Sequence, residues 1–165
     1  MHKKFRIALL IIFPLLVISI VVYGNWVKII LWLMVWDGSI IIRNYESVSF
    51  VPLRNGDVAG IRISSLSDDR RIQRDVELKD CSDELRKGIE DWLSSVHENA
   101  FRSFSDFVPE YTVMIPNKIG GTQDLITIYG GIFFIYDVGG TNQYIRIGNS
   151  EDRKVVDLIS AAFCR

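Results

Sequence analysis

The sequence predicts an α+β fold, with a single N-terminal transmembrane helix followed by one small domain that has a mostly antiparallel sheet and two main helices. Three observations predict it: an apolar run near the start, short alternating segments rich in Ile and Val, and two amphipathic segments with helical spacing. Strands followed by a helix, twice over, are typical of α+β proteins. The 165 residues are enough for one folded domain but not for two full-sized ones.

The apolar run covers residues 7–23, in which Ser19 is polar and no side chain is charged. At about 1.5 Å per residue the run spans roughly 25 Å, slightly less than the ~30 Å hydrocarbon core of a bilayer. Residues 1–6 form a basic tail, which predicts a cytoplasmic N-terminus. We therefore expect an uncleaved, single-pass anchor in the inner (plasma) membrane, surrounded by lipid bilayer, with the C-terminal domain periplasmic or extracellular. A cleaved signal peptide and a membrane hairpin stay open as alternatives.

Residues 24–36 continue the apolar pattern and hold three of the four tryptophans. Their apolar stretch is too short to cross a bilayer alone, and Trp26, Leu33 and Trp36 share one helical face. Tryptophan collects at membrane interfaces. We therefore expect an interfacial or continuing helix here. The alternative is a buried first element of the folded domain.

Residues 37–165 are predicted to form the extracytoplasmic α+β domain, which has an ordinary single-domain size. Its first helix is expected to run from the N-cap Ser82 to about Ala100, and its second from about Glu151 to Phe163. Asn149 or Ser150 is expected to cap the second helix. The apolar residues of both segments recur at helical spacing, so each helix should bury one face.

The rest of the domain is expected to be sheet. Three Gly-Gly pairs, at 120–121, 130–131 and 139–140, predict hairpin turns because glycine accepts positive φ. The alternating segments 58–64 and 71–78 should pair as an antiparallel hairpin. The full set of expected strands covers residues 39–45, 47–53, 58–64, 71–78, 111–115, 125–129, 132–137 and 143–147.

Charge is distributed unevenly along the chain. The net charge is −1, but the first 36 residues carry four basic residues and no acidic one. Residues 37–165 therefore carry the other 15 of the 19 basic residues and all 20 acidic ones. A net-acidic domain argues against a nucleic-acid surface and favours a protein partner with a basic face. The composition also excludes disordered, collagen-like and cysteine-dense secreted proteins.

The sequence predicts no catalytic residues, no metal site and no cofactor. The chain has two histidines, and no Cys-x-x-Cys or His-x-x-x-His pair suggests a metal site. His97 is expected at the edge of the first domain helix, as a surface residue. No Gly-x-Ser-x-Gly elbow is present either.

One short motif resembles a known phosphate site. Residues 136–142, Tyr-Asp-Val-Gly-Gly-Thr-Asn, resemble the phosphate-binding turn of the sugar kinases in the actin-like ATPase superfamily. The resemblance implies a strand end where glycines let backbone amides approach a phosphate. Too few residues follow Asn142 for that family's second phosphate loop and nucleotide pocket, so a hairpin turn is the preferred interpretation.

The two cysteines are candidate disulfide partners, because Cys81 precedes the first domain helix and Cys164 ends the second. An oxidising compartment favours a bond between two such cysteines. Closing a loop of roughly 80 residues would stabilise the fold by ~4.5 kcal/mol in the chain-entropy model. Free buried thiols are the alternative, and they are expected if the domain is cytoplasmic.

These features predict a membrane-anchored, extracytoplasmic protein that acts by protein–protein binding, such as an immunity or exclusion-type factor, and not by catalysis. Loops on a rigid sheet commonly carry recognition, so the segments 116–124 and 138–142 are the candidate partner loops. The alternatives are a structural or accessory subunit of a bacterial envelope assembly and a small envelope enzyme. The candidate contact residues are Lys118, Gly120, Gly121, Gln123, Gly139, Gly140 and Asn142.

The topology is testable with fusions to the C-terminus. A reporter that is active only in the periplasm, fused after Arg165, should be active, and one that is active only in the cytoplasm should not. The physical reason is that the basic tail keeps the N-terminus in the cytoplasm and translocates the rest. The reverse pattern would overturn both the topology and the disulfide, because a reducing cytoplasm keeps Cys81 and Cys164 as thiols.

Overall fold

The computed structural model describes residues 2–38, 40–67, 69–105, 109–118, 121–140 and 142–163. The chain divides into two compact units, Met1–Ile40 and Ile41–Arg165. The described part has an α+β architecture, as the sequence predicts.

The first unit is built on helix α1, His2–Trp36, which contains Pro14. Many of its described apolar side chains are exposed, as for Phe13 at 68 % and Ile20 at 63 %. The rings of Trp32 and Trp36 lie 5.0 Å apart.

Over the described residues, no single helix has both the length and the apolar character of a membrane span. One bent pair of helical stretches, Ile12–Trp26 and Lys28–Trp36 at 72° to each other, meets both conditions together. The single anchor expected over residues 7–23 therefore stays a prediction.

In the second unit, eight strands of the described chain form one sheet in the order β1-β4-β8-β7-β6-β5-β2-β3. Every strand pair whose register is defined is antiparallel, which confirms a mostly antiparallel sheet. Strands β5 to β8 form a meander of consecutive hairpins, and β3 lies at one edge. The strands are β1 Ile40–Phe50, β2 Arg62–Leu66, β3 Ile72–Glu77, β4 His97–Ser105, β5 Tyr111–Pro116, β6 Gln123–Tyr129, β7 Phe133–Val138 and β8 Asn142–Ile147.

Two helices, α2 (Asp83–Ser94) and α3 (Ser150–Phe163), pack on one face of this sheet. The register places Ile63, Val113, Ile126 and Tyr136 opposite one another on neighbouring strands, so their side chains share that face. The helices contribute buried apolar side chains to the same core. These are Leu85, Ile89, Trp92 and Leu93 from α2 and Val155 and Ile159 from α3.

Two strand expectations need correction. The predicted strands 39–45 and 47–53 merge into one continuous strand, β1, over Ile40–Phe50, because Glu46 between them does not end a strand as Gly or Pro would. Residues 51–53, expected to continue the second strand, lie instead in the turn that follows β1. The segment 58–64 begins as a 3₁₀ turn, Val58–Gly60, and its strand starts at Arg62. Asp57 holds this turn by accepting the N–H of Ala59 at 3.2 Å.

The first domain helix also ends earlier than the sequence predicts. Ser82 is its N-cap as expected, and its Oγ accepts the N–H of Leu85 at 3.3 Å. The helix ends at Ser94, because the hydroxyl of Ser95 donates to the carbonyl of Trp92 at 2.7 Å and a strand follows. His97 is therefore in β4 and only 1 % exposed, and the prediction of a surface residue on a helix is wrong.

The glycine pairs form hairpin turns where they are described. Gly130 and Gly131 link β6 to β7, and Gly139 and Gly140 link β7 to β8, all four with positive φ between 55° and 71°. The hairpin interpretation of residues 136–142 is thereby confirmed for its described part. Gly120 lies outside the described residues, and its neighbour Gly121 has φ 64°.

Candidate functional site

A buried ion pair joins β8 to α3 in the second unit. The Nη1 atom of Arg146 lies 2.8 Å from Oδ1 of Asp152, and the two side chains are 9 % and 2 % exposed. Trp92 of α2 donates its Nε1–H to the same oxygen at 2.7 Å. One carboxylate therefore holds a strand and both domain helices together.

The same carboxylate begins α3. Oδ2 of Asp152 accepts the N–H of Asn149 at 2.6 Å, and Oδ1 of Asn149 accepts the N–H of Asp152 at 3.0 Å. These reciprocal bonds satisfy backbone donors that a helix start leaves unpaired. Burial works to raise the pKa of Asp152, but the hydrogen bonds from Arg146, Asn149 and Trp92 outweigh it, so the pKa lies below its usual value.

His97 extends this network across the core. Its Nε2 lies 2.8 Å from the carbonyl oxygen of Trp92, which can only accept, so Nε2 carries the proton. Nδ1 is then an acceptor, and the hydroxyl of Tyr136 donates to it at 2.9 Å. The side chain of Phe50 lies against both rings, 6.0 Å from His97 and 4.7 Å from Tyr136 between centroids.

Both groups of this hydrogen bond are electrically neutral. Burial lowers the pKa of His97 below its usual value, and burial raises the pKa of Tyr136. Each residue is 1 % exposed. The pair therefore acts as a buried cross-link between β4 and β7, and its polar atoms are enclosed by the core.

A cleft of about 260 Å³ lies at the end of the sheet where β5 and β7 finish and β6 begins. Its floor is apolar and aromatic, with Phe50, Ile115, Ile126 and Tyr136. Polar residues surround the floor, and they differ in charge. They are Ser49, Arg54, Asn55, Asn117, Asp124 and Asp137.

Three loops meet around the cleft: the turn after β1, the β5–β6 connection and the β7–β8 connection. We refer to their described residues 51–57, 117–118 with 121–122, and 139–140 as the loop cluster. The N–H of Lys118 donates to the carbonyl of Asn55 at 3.1 Å. The N–H of Gly139, in the β7–β8 turn, donates to Oδ1 of Asp124 at 2.9 Å. This bond joins the β7–β8 turn to β6. Backbone bonds thus hold the loop cluster in place.

Gly56 is required by this arrangement. A Cβ at this position would lie 2.5 Å from Cγ2 of Ile115 and 2.9 Å from Cδ1 of Leu53. The N–H of the next residue, Asp57, donates to the carbonyl of Pro116 at 2.8 Å. The first loop can approach β5 this closely only because residue 56 has no side chain.

The described candidate contact residues gather at this end of the sheet. The β5–β6 and β7–β8 connections of a meander lie at the same end, so Lys118, Gly121 and Gln123 are brought near Gly139 and Gly140, with Asn142 beginning β8. The partner loops predicted from the sequence do not include residues 51–57. The turn Arg54-Asn55-Gly56-Asp57 was recognisable, but its place beside β5 depends on contacts that the sequence does not encode locally.

Cys81 is not among the residues that line this cleft. Its thiol lies 3.4 Å from the carbonyl oxygen of Glu77, and burial, with the nearby Asp80, raises its pKa. A second cleft contains Cys81 together with Ala161 and Ala162 of α3. Cys164 lies outside the described residues, so the disulfide stays a prediction.

The described residues contain no group of three or more His, Cys, Asp or Glu side chains that could hold a metal ion. Comparison with protein-family models, curated proteins and solved structures finds no match to this chain. Function is therefore inferred from the geometry of the residues themselves.

The importance of the ion pair can be tested by removing one partner. Asp152→Ala leaves Arg146 buried without its counter-charge, and we expect the free energy of unfolding to fall by about 3–5 kcal/mol. Asp157→Ala, at an exposed position of the same helix, should change it by less than about 0.5 kcal/mol. Denaturant unfolding of the full-length chain in mild detergent measures both. Equal effects of the two substitutions would contradict the structural role of Asp152.

The neutral state of His97 predicts a pH dependence. Its pKa in the folded chain lies below the ordinary histidine value of 6.5, so above that pH its contribution to stability is complete. As the pH falls below 6.5 the unfolded chain binds the proton first, and the free energy of unfolding should decrease, by at most about 1.4 kcal/mol per pH unit. His97→Gln, which can still donate to Trp92 and accept from Tyr136, should lack this decrease between pH 7 and pH 5. A variant with the same slope as the native chain would show that His97 is not the titrating group.

Proposed function

We propose that this chain is a membrane-anchored, extracytoplasmic protein of a bacterial envelope that acts by binding a protein partner, as an immunity or exclusion-type factor does. The observation that carries the proposal is the loop cluster. Three loops from separate parts of the chain converge on one end of a sheet and surround a cleft. Convergent loops on a rigid scaffold are the usual place for recognition.

Hydrogen bonds in the core fix the cleft floor that the loop cluster surrounds. Tyr136 in the cleft floor is fixed by its bond to His97, and His97 is fixed by the carbonyl of Trp92. Asp152 holds Trp92 through its indole N–H. A surface that is already ordered loses little conformational entropy when a partner binds, and more of the contact energy then appears as affinity.

The membrane anchor belongs to the proposal and rests on the sequence of the first unit. Residues 7–23 are apolar and uncharged and follow a basic tail. The described side chains of α1, such as Phe13, Ile20 and Trp36, are exposed, and a bilayer would remove that apolar surface from water. Tethering a small domain to a membrane raises its effective concentration for partners in the same membrane, so a modest intrinsic affinity is sufficient.

A structural or accessory subunit is the second candidate, and the tryptophans of α1 favour it. Trp32 and Trp36 are 60 % and 73 % exposed, with rings in contact. Packing against membrane helices of a neighbouring protein would bury them. Under this alternative, Trp32→Ala with Trp36→Ala would abolish complex formation while substitutions in the loop cluster would not.

The binding proposal is tested by substituting exposed polar side chains around the cleft. We expect Asn55→Ala, Lys118→Ala and Gln123→Ala together to weaken partner capture at least tenfold, which is about 1.4 kcal/mol of binding energy. The substitutions keep the backbone bonds of the loops, so the thermal midpoint should stay nearly unchanged. Capture is measured with tagged full-length protein, cross-linked in its native membrane, by the yield of the partner that the native chain retains.

A matched control uses three exposed residues of α3. Arg153→Ala, Lys154→Ala and Asp157→Ala together should leave capture as in the native chain. Full capture by the loop variant would contradict the proposal. Loss of capture by both variants would also contradict it, because the effect would then not be specific to the loop cluster.

A further inference from the structure

We infer that the cleft at the end of the sheet receives one cationic side chain, a lysine or an arginine, from the protein partner. This inference rests on the proposed binding function and names the chemistry of the group that the partner inserts. Three observations carry it. They are two buried oxygen atoms without donors, the net charge of the residues that line the cleft, and a donor set that suits an organic cation better than a metal ion.

Two buried acceptors in the β7–β8 hairpin have no hydrogen-bond donor. They are Oδ1 of Asp137 and Oε1 of Gln143, and no other buried side-chain nitrogen or oxygen of the described residues lacks a partner. Asp137 and Gln143 lie directly opposite each other in the register of the two strands, so their side chains are on one face of the sheet. Opposite residues have Cβ atoms about 4.5–5.5 Å apart. One donor group can therefore reach both oxygens.

The carboxylate of Asp137 needs a counter-charge as well as a donor, because burial penalises its charged form. No ion pair joins Asp137 to a cation of the described residues. Turning the side-chain amide of Gln143 would supply one donor, and a bound water would do the same, but neither carries a positive charge. An ammonium or a guanidinium group supplies the donors and the charge together.

The residues that line the cleft carry a net negative charge. Asp124 and Asp137 contribute two carboxylates and Arg54 contributes one cation, which leaves a net charge of −1. Arg54 is exposed and forms no ion pair with either carboxylate in the described part of the chain, so solvent screens its charge. Asn55 and Asn117 add side-chain acceptors to the lining. A cation is therefore favoured over an anion in this cleft.

The cleft also has space and apolar surface for the stem of a long cationic side chain. It measures about 260 Å³, and Val51, Leu125 and Val138, which are all at least partly exposed, belong to its lining. Lysine and arginine place their methylene groups on apolar surface while the charged end reaches polar partners. Such a side chain uses both the volume and the charge of the cleft.

The donor set does not suit a metal ion. The described residues contain no group of three or more His, Cys, Asp or Glu side chains that could hold one. Calcium takes about six to eight oxygen ligands, and magnesium demands near-ideal octahedral geometry. One carboxylate and one amide oxygen at the paired positions of β7 and β8 are too few for either ion. An ammonium group needs acceptors for only three N–H bonds.

The test uses the full-length, ¹⁵N-labelled chain in micelles of an uncharged detergent, with N-acetyl-lysinamide and N-acetyl-argininamide as probes. We expect saturable shifts of the backbone amide signals of Asp137, Gly139 and Gln143. The neutral matches, N-acetyl-norleucinamide and N-acetyl-citrullinamide, should bind at least about fivefold more weakly, because they keep the length of the stem and lose the charge. Calcium chloride at the same concentrations should give no saturable shift of these signals.

Asp137→Asn keeps the shape of the side chain and removes its charge. It should weaken binding of the cationic probes at least about fivefold, while Asp157→Asn, at an exposed position of α3, should not. Asp137→Asn should also leave the thermal midpoint of the free chain unchanged or raise it, since a carboxylate without a counter-charge does not stabilise the fold. A lower midpoint for Asp137→Asn, with Asp157→Asn unchanged, would show that the chain already compensates this carboxylate and would overturn the inference.

Four further results would overturn it: no saturable shift with either cationic probe, equal binding of the neutral matches, saturable calcium binding at the same signals, or unchanged probe binding by Asp137→Asn. The partner-capture experiment separates these outcomes from failure of the proposed function. Capture that depends on the loop cluster, without probe binding, leaves the function standing and removes the cation site. Probe binding without loop-dependent capture identifies a site for small organic cations and removes the protein partner as their source.

Discussion

The free-energy cost of burying a carboxylate is offset only if several hydrogen-bond donors compensate its charge. Asp152 accepts hydrogen bonds from Arg146, from Trp92 and from the backbone N–H of Asn149. Arg146 and Asn149 lie within six residues of Asp152 in the chain, and Trp92 of α2 lies 60 residues away. The carboxylate therefore joins α2 to the start of α3 and to β8. Apolar burial drives the packing of both helices on the sheet, and these hydrogen bonds fix one contact within that packing.

The hydrogen bonds continue from this carboxylate to the cleft. Trp92 uses its indole for Asp152 and its carbonyl for His97, and His97 in turn holds Tyr136 in the cleft floor. The network that holds α2 and α3 thus shares residues with the floor of the cleft. The loops themselves are fastened separately by backbone bonds such as that between Lys118 and Asn55, so exposed side chains such as these two can vary without altering the fold.

Local patterns account for the elements that the sequence predicts well. Glycine pairs mark the hairpins of the meander, and Ser82 and Asn149 mark helix starts, because these signals act within a few residues. The sequence does not predict the strand that contains His97, since its apolar spacing continues that of α2 and the bonds from Ser95 and His97 to the carbonyl of Trp92 that end the helix leave no local pattern. The network and the cleft join residues as distant as Trp92 and Asp152, or Asn55 and Lys118, and no local pattern encodes such pairs.

The meander of β5 to β8 has a consequence for how the second unit folds. Its strands pair with their sequence neighbours, so loop closure costs little entropy and this part can form early. The pairs that flank it, β2 with β5 and β4 with β8, close much longer loops. Strands β1 and β4 therefore depend on a sheet made by residues that are synthesised after them, and until those residues are available their backbone donors remain unpaired. A chain with this order of pairing is most exposed to proteases and to aggregation before its last third has emerged.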